Sequence, residues 1–264
     1  MAEATAVLEH VTSRDGTRIG FRRSGEGQPV VFAHGATSAH WSFRFVVPLL
    51  ADRFSVYAVD RRGRGDSGDQ PEYAIEREFD DLAAVVDSIP EPASLFGHSY
   101  GATVALGAAL VARNLRKLVL YESSPGFSVV SKADVDRIDE LVAQGEREEA
   151  LVHGLRAIGL TPDELEQLRA SPTWAARVEA AHTLARELRG EEAYRVDPER
   201  FRDLAVPTLL LLGEESADWA REGTELIRAA LPDARIAVLR GQGHMANVTA
   251  PELVADEVAR FLSE

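Results

Sequence analysis

The chain has 264 residues, a formal net charge of −14 and no cysteine. The missing cysteines exclude disulfides, thiolate metal sites and a cysteine nucleophile. The acidic balance argues against a nucleic-acid partner, whose phosphates need a basic surface. A chain of this length buries a large core as one domain, or as one domain with an insertion.

The N-terminus and the apolar stretches bear on location. Residues 1–10 lack a basic region followed by an apolar run, so no signal peptide is expected. The most apolar long window, residues 95–112, is interrupted by His98, Ser99 and three glycines, which makes it too broken for a membrane span. We expect a cytoplasmic protein without a membrane partner.

The first half of the chain alternates predicted strands with predicted helices. Residues 7–12 and 18–23 flank Asp15-Gly16, the usual tip of a tight hairpin. A continuous apolar run, typical of a strand covered on both faces, occupies residues 29–33, and further buried strands are predicted at residues 54–59, 94–96 and 115–121. Helical patterns occupy residues 41–50, 76–88 and 101–113. This alternation predicts an α/β protein with a doubly wound, mostly parallel sheet.

The alternation stops after residue 124 and resumes near residue 203. Residues 125–202 show helical patterns at 131–144 and 174–188, a capping box at Thr161-Pro162-Asp163-Glu164, and no convincing strand. A strand, a helix, a strand and a helix then follow at residues 207–212, 221–230, 235–239 and 251–262. The predicted division is a core formed by residues 1–124 and 203–264, with residues 125–202 inserted as a helical cap.

A G-x-S-x-G pentapeptide, Gly97-His98-Ser99-Tyr100-Gly101, links an apolar run to a helix of small residues. A serine hydroxyl becomes a useful nucleophile only when it is held out of the packed layers beside a base. A sharp strand-to-helix turn does this, and it needs glycines on both sides. The pattern predicts Ser99 as the nucleophile; alone, it could equally be two glycines punctuating a loop.

Four motifs, each after a predicted strand, together resemble the α/β-hydrolase superfamily over nearly the whole chain. They are His34-Gly35-Ala36, the charged stretch from Asp60 to Ser67, the Ser99 pentapeptide, and Gly241-Gln242-Gly243-His244. The resemblance implies the α/β-hydrolase fold with an inserted helical cap and a serine nucleophile.

The resemblance also implies roles for particular residues. His244 follows the last strand and would be the base, while the N–H groups of Tyr100 and Ala36 would form the oxyanion hole. His98 is expected to be structural, and His34 to hold the oxyanion loop by hydrogen bonding. The charged loop from Asp60 to Ser67 is also expected to be structural.

The carboxylate behind His244 is the open question. Most relatives place an aspartate where this chain has Ser216, three residues after Gly213. Two other residues could supply the carboxylate: Asp218 on a longer loop, or Glu122 directly after the strand next to the nucleophile strand. Glu122 is the preferred prediction, because a carboxylate at the end of a buried strand needs a partner. Glu214, Glu215 or the absence of an acid are further alternatives.

The inserted helices would cover Ser99. Candidate apolar residues for the pocket wall are Phe127, Leu155, Leu160, Trp174 and Val178. Trp174 is the one predicted to face the substrate; the alternative is that these residues only pack the cap onto the core.

The predicted activity is cofactor-free, metal-free hydrolysis of an ester or lactone of a small, largely apolar molecule through an acyl-enzyme on Ser99, His244 and Glu122. By resemblance, a serine nucleophile argues against haloalkane dehalogenase and epoxide hydrolase activity, since those relatives have an aspartate as the nucleophile. A glutamate after the sixth strand occurs in relatives that open resorcylic macrolactones. Carbon–carbon bond hydrolysis, peracid formation and a non-catalytic binding or biosynthetic helper role are the alternatives. The expected partner is a small-molecule substrate, and a homodimer is left open.

Overall fold

An eight-stranded sheet forms the centre of the computed structural model, which describes residues 6–127 and 129–264. Its strands are β1 Val7–Thr12, β2 Arg18–Ser24, β3 Gln28–Ala33, β4 Phe54–Val59, β5 Ala93–His98, β6 Leu115–Tyr121, β7 Thr208–Gly213 and β8 Ala234–Leu239. Their spatial order is β1-β2-β4-β3-β5-β6-β7-β8. The pairs β1–β2 and β2–β4 are antiparallel, and β3 to β8 run parallel. The predicted doubly wound, mostly parallel sheet is confirmed.

Alternating side chains of the central strands form two separate cores. Val31, Ala33 and Leu95 belong to one buried cluster, whereas Val30 and Phe96 belong to another. Neighbouring residues of a strand point to opposite faces, so continuous apolar runs are what a sheet covered on both sides requires.

Helices cover both faces of the sheet. They are α1 Val47–Leu50, α2 Ile75–Ser88, α3 Tyr100–Ala108, α4 Lys132–Ala143, α5 Arg147–Ala157, α6 Pro162–Arg169, α7 Trp174–Glu179, α8 Leu184–Ala193, α9 Pro198–Phe201, α10 Asp218–Ala230, α11 Ala246–Thr249 and α12 Pro251–Ser263. Side chains of α2, α3 and α10 enter one core, and those of α1 and α12 enter the other.

Two helical predictions were too long. The pattern over 41–50 divides into a 3-10 turn, His40–Phe43, and α1, which has Pro48 in its first turn. The pattern over 174–188 divides into α7, a second 3-10 turn, Ala180–Thr183, and α8. Apolar periodicity continues through such tight turns, so the pattern alone does not locate the break.

Six helices, α4 to α9, lie between β6 and β7, and the described residues there contain no strand. The capping box at Thr161 and Glu164 is present at the start of α6. Ile138 and Leu184 belong to an apolar cluster of these helices that also packs against Ala36, so this segment contacts the loop after β3. The boundaries 125 and 202 stay a prediction.

None of the described helices combines the length and apolar character needed to cross a bilayer.

Candidate active site

The loops after β3, β5, β6, β7 and β8 meet at the carboxyl edge of the parallel strands, where ligands bind in open α/β sheets. Three non-glycine residues among those described have positive φ angles: Thr37 (53°), Ser99 (57°) and Glu122 (45°). All three lie in these loops. Backbone strain of this kind persists where the surrounding structure enforces it, commonly at functional sites.

Ser99 occupies the turn between β5 and α3. A Cβ on Gly97 would lie 2.4 Å from the Gly101 carbonyl, and a Cβ on Gly101 would lie 2.4 Å from the Ala33 and His34 carbonyls. The crossing of strand and helix therefore requires both glycines. The Ser99 N–H donates to the Tyr121 carbonyl at 2.9 Å, which ties the turn to the neighbouring strand.

The loop after β3 lies directly against Ser99. A Cβ on Gly35 would come within 2.9 Å of Ser99 Cβ and 3.4 Å of Ser99 Oγ. The N–H groups of Ala36 and of Tyr100, the first residue of α3, have no hydrogen-bond acceptor among the described residues. These donors are available to a negatively charged oxygen formed next to Ser99.

His34 holds this loop in place. Its Nε2 accepts the Arg61 N–H at 3.1 Å, so Nδ1 carries the proton and donates to the Gly35 carbonyl at 2.8 Å. Complete burial holds the pKa of His34 well below its usual value, and the Arg61 charge adds to the effect. The imidazole therefore stays neutral and serves as a structural bridge.

His244 contacts Glu122 at the same edge. His244 Nδ1 lies 2.7 Å from Glu122 Oε2, and this contact directs the free Nε2 away from the carboxylate. The Glu122 side chain is fully buried, whereas 30% of the His244 side chain is exposed. Ser99 is half-buried, so both it and His244 remain open to a ligand. The rings of Trp219 and His244 make an edge-to-face contact with centroids 5.1 Å apart.

Ser216 donates a hydrogen bond to the Glu122 carboxylate. The second carboxylate oxygen, Oε1, accepts the Gly213 N–H at 2.6 Å and the Ser216 hydroxyl at 2.5 Å. Ser216, which stands where an aspartate was expected by resemblance, is thus a donor to the Glu122 carboxylate at the end of the neighbouring strand. Asp218 is exposed at the first position of α10, and the structure places Glu122 rather than Asp218 beside His244.

His98 and Tyr121 hold the His244 loop in place through hydrogen bonds to its backbone. His98 Nε2 donates to the His244 carbonyl at 2.9 Å. Tyr121 donates its hydroxyl to the Gly243 carbonyl and accepts the Ala246 N–H at 3.1 Å. Burial, reinforced by the nearby His244, lowers the pKa of His98 to about 3, so His98 is neutral. His98 supports the loop and does not face Ser99 as a base.

The charged loop after β4 forms buried ion pairs. Arg61 Nη1 donates to Glu78 at 2.7 Å, and Arg62 pairs with Asp81 at 2.7 Å. Arg64 pairs with Glu187 of α8. The loop therefore ties the sheet edge to α2 and to the inserted helices.

Trp174 lies within the inserted helices. It packs against the cluster that contains Leu151 and Leu155, and its indole N–H donates to Glu148 at 3.2 Å. Leu160 and Val178 pack against the same cluster. This placement matches the alternative in which these side chains pack the cap. The indole N–H of Trp174 is satisfied by Glu148, an exposed residue of the same inserted segment.

Sequence reasoning missed Arg177, three residues after Trp174, which contacts Thr37 of the loop after β3. It also missed the donor role of Ser216 and the Trp219 contact on His244. The signal for Ser216 was present, since a small hydroxyl side chain at the acid position can donate to a carboxylate placed elsewhere. Within the described residues, no group of three His, Cys, Asp or Glu side chains could hold a metal ion.

Known proteins resemble this chain over most of its length. An alpha/beta hydrolase from Sphaerobacter thermophilus has a similar structure, with a TM-score of 0.84, 35% identity, and coverage of 96% of this chain and 100% of that one. A 2-hydroxy-6-oxo-6-(2'-aminophenyl)hexa-2,4-dienoic acid hydrolase from Metapseudomonas resinovorans is 23% identical, over 98% of this chain and 92% of its own. A pimeloyl-(acyl-carrier protein) methyl ester esterase from Aeromonas hydrophila is 25% identical, over 92% of this chain and 99% of its own.

The model of the Alpha/beta hydrolase family matches residues 30–257, a span that includes the Ser99 turn, Glu122 and His244. Together with the mostly parallel sheet and its similar structures, this match shows that the chain belongs to the alpha/beta hydrolase family and that its general kind of activity is hydrolysis.

Proposed function

We propose that the protein is a serine hydrolase that cleaves a carboxylic ester or lactone of a small molecule through an acyl-enzyme. The observation that carries the proposal is the 2.7 Å contact of His244 Nδ1 with the buried Glu122 carboxylate, at the sheet edge that presents Ser99. This contact keeps the proton on Nδ1, so Nε2 can accept one from a serine hydroxyl.

In the proposed reaction, Ser99 Oγ attacks the substrate carbonyl while His244 Nε2 takes the hydroxyl proton. The N–H groups of Ala36 and Tyr100 donate to the carbonyl oxygen as it gains negative charge. His244 then gives its proton to the leaving alcohol, and the acyl group stays on Ser99. Water attacks the acyl-enzyme with His244 again as base, which releases the acid and restores the serine.

Glu122 has two tasks in this scheme. It orients the imidazole through Nδ1, and its negative charge stabilises the imidazolium that forms when His244 holds the serine proton. The bonds from Gly213 and Ser216 fix the carboxylate for both tasks. Because Oε1 accepts these two donors, Oε2 remains for His244.

Carbon–carbon bond hydrolysis is the second candidate. The relative from Metapseudomonas resinovorans, which covers nearly the whole chain, carries the name of a dienoic acid hydrolase. The same serine, histidine and acid could serve that reaction, so the substrate distinguishes the two candidates. Turnover of dienoic diketones with esters left intact would favour it over ester cleavage.

Labelling with a fluorophosphonate probe tests the proposal, because the probe reacts much faster with an activated serine than with an ordinary hydroxyl group. We expect a single adduct on Ser99 by mass spectrometry, none in Ser99→Ala, and much slower labelling in His244→Ala. Ser88→Ala, at the end of α2, is the matched control and should label like the wild type. A folded wild type that neither labels nor hydrolyses 4-nitrophenyl esters would refute the proposal and favour a non-catalytic binding role.

A further inference from the structure

Arg177 on α7 is a buried arginine beside the loop after β3. Only 9% of the residue is exposed. Its Nη1 donates to the Thr37 carbonyl at 3.0 Å and to Thr37 Oγ1 at 3.3 Å. The guanidinium carbon lies 4.7 Å from the centroid of the Trp41 ring. One corner of the guanidinium is thus fixed, and one face is covered by an aromatic ring.

The other edge of this guanidinium lacks a hydrogen-bond partner among the described residues. Nε is fully buried and has no hydrogen-bond partner among the described residues. No bond from Nη2 to a described residue is found either. Nε and Nη2 together form the side edge through which arginine binds a carboxylate with two parallel hydrogen bonds.

The Arg177 charge is not neutralised by the chain itself. No carboxylate of the described residues lies within 4.0 Å of it, whereas the buried Arg61, Arg62 and Arg64 each pair with one. Burial, together with a smaller contribution from the Arg44 charge, lowers the pKa of Arg177 to about 10, so the group remains cationic at neutral pH. A buried charge without a partner is costly. The chain has 43 acidic residues that could have supplied a partner, and the absence of one among the described residues leaves the Arg177 charge for a ligand to neutralise.

Arg177 lies within a small molecule's length of the candidate oxyanion hole. Thr37 follows Ala36, and consecutive Cα atoms are about 3.8 Å apart, so Arg177 Nη1 lies within about 10 Å of the Ala36 N–H. An anion on Arg177 and a carbonyl beside Ser99 can therefore belong to one substrate.

We propose that Arg177 binds a carboxylate of the substrate, so that the esters cleaved are half-esters of dicarboxylic acids. The inference rests on the proposed esterase function and names its substrate class. A monoanion matches the single unpaired guanidinium, whereas a phosphate dianion would leave excess negative charge in an already acidic protein. Because the Trp41 ring covers one face of the guanidinium, the carboxylate would bind in the guanidinium plane, along the Nε and Nη2 edge.

The test compares an anionic with a neutral ester of the same chain length. Mono-4-nitrophenyl adipate carries the free carboxylate, and 4-nitrophenyl hexanoate lacks it. The quantity measured is the ratio of their kcat/KM values in the wild type, in Arg177→Gln and in Arg177→Lys. We expect the ratio to fall about 10- to 100-fold in Arg177→Gln, as for loss of a charged hydrogen bond, and to recover in part in Arg177→Lys. Arg137→Gln, an exposed arginine of α4, is the matched control with an unchanged ratio.

The outcomes separate this inference from the proposed function. An unchanged ratio in Arg177→Gln, or an equal loss of both activities, would mean that Arg177 only anchors Thr37 and would overturn the inference. If Arg177→Gln does not fold, inhibition of the wild type decides: adipate should compete with the hexanoate ester and neutral adipamide should not, and equal inhibition overturns it. If the wild type cleaves neither ester, the esterase function fails, and calorimetric binding of adipate without adipamide binding would still support the anion site.

Discussion

Replacement of Glu122 by glutamine tests the acid behind His244 with little change of shape. The glutamine amide has one oxygen and one NH2 group, whereas the carboxylate has two acceptors. Gly213 N–H and Ser216 Oγ, at 2.6 Å and 2.5 Å, both donate to Oε1. The amide oxygen should keep these two bonds, which leaves the NH2 group facing His244 Nδ1.

This orientation reverses the proton arrangement on His244. Nδ1 would have to accept a hydrogen bond from the amide, so the imidazole proton would move to Nε2. A protonated Nε2 cannot take the Ser99 proton, and no negative charge remains to stabilise the imidazolium. The equivalent change in other triads costs about 10⁴ in kcat, or roughly 5.5 kcal/mol. We expect a loss of that size in Glu122→Gln with little change in KM.

Steady-state hydrolysis of 4-nitrophenyl hexanoate gives kcat and KM, and circular dichroism checks that the variant folds. Asp218→Asn is the matched control, because Asp218 is exposed at the start of α10 and should leave kcat within about twofold. If Asp218→Asn lost activity by orders of magnitude while Glu122→Gln stayed within tenfold of the wild type, the assigned acid would be wrong.

Three further changes test the support of the site. In Gly101→Ala the new Cβ would lie 2.4 Å from the Ala33 carbonyl, so we expect the free energy of unfolding in urea to fall by about 3 kcal/mol. Tyr121→Phe removes the donor to the Gly243 carbonyl, and we expect kcat to fall about tenfold with KM nearly unchanged. The pKa of His98 is about 3 when folded and near 6.5 when unfolded, so the unfolded chain binds more protons as the pH falls. Between pH 6.5 and 5 the unfolding free energy should therefore decrease by about 1.5 kcal/mol more in the wild type than in His98→Gln.

Each of these expectations has a contradicting result. Gly68→Ala, whose new Cβ meets nothing closer than 3.5 Å, should be nearly neutral, and equal stability losses would remove the steric argument for Gly101. An increase in KM alone in Tyr121→Phe would assign Tyr121 to substrate binding instead of support of the His244 loop. Parallel pH–stability curves for the wild type and His98→Gln would show that His98 is not neutralised by burial.

The sequence predicted most of the fold because local signals were strong. Apolar runs such as residues 29–33 and 118–121 indicated strands covered on both faces, and Asp15-Gly16 marked the hairpin that pairs β1 with β2. The Ser99 turn was readable for the same reason, since its two glycines are required by contacts within a short stretch. Apolar periodicity does not reveal the tight turns within it, which is why the pattern over 174–188 predicted one helix where the structure has two and a 3-10 turn.

The tertiary structure alone decided which distant groups meet. Glu122 and Asp218 both preceded His244 in the required order, and only strand register places the end of β6 beside the His244 loop while α10 carries Asp218 outward. Arg177 had no motif, because its partners, Thr37 and Trp41, are about 140 residues away in the chain. The sequence by itself determined the sheet, its turns and the order of the chemical groups. Packing between segments remote in the chain determined that Glu122 contacts the histidine and that the unpaired charge of Arg177 lies beside the loop after β3.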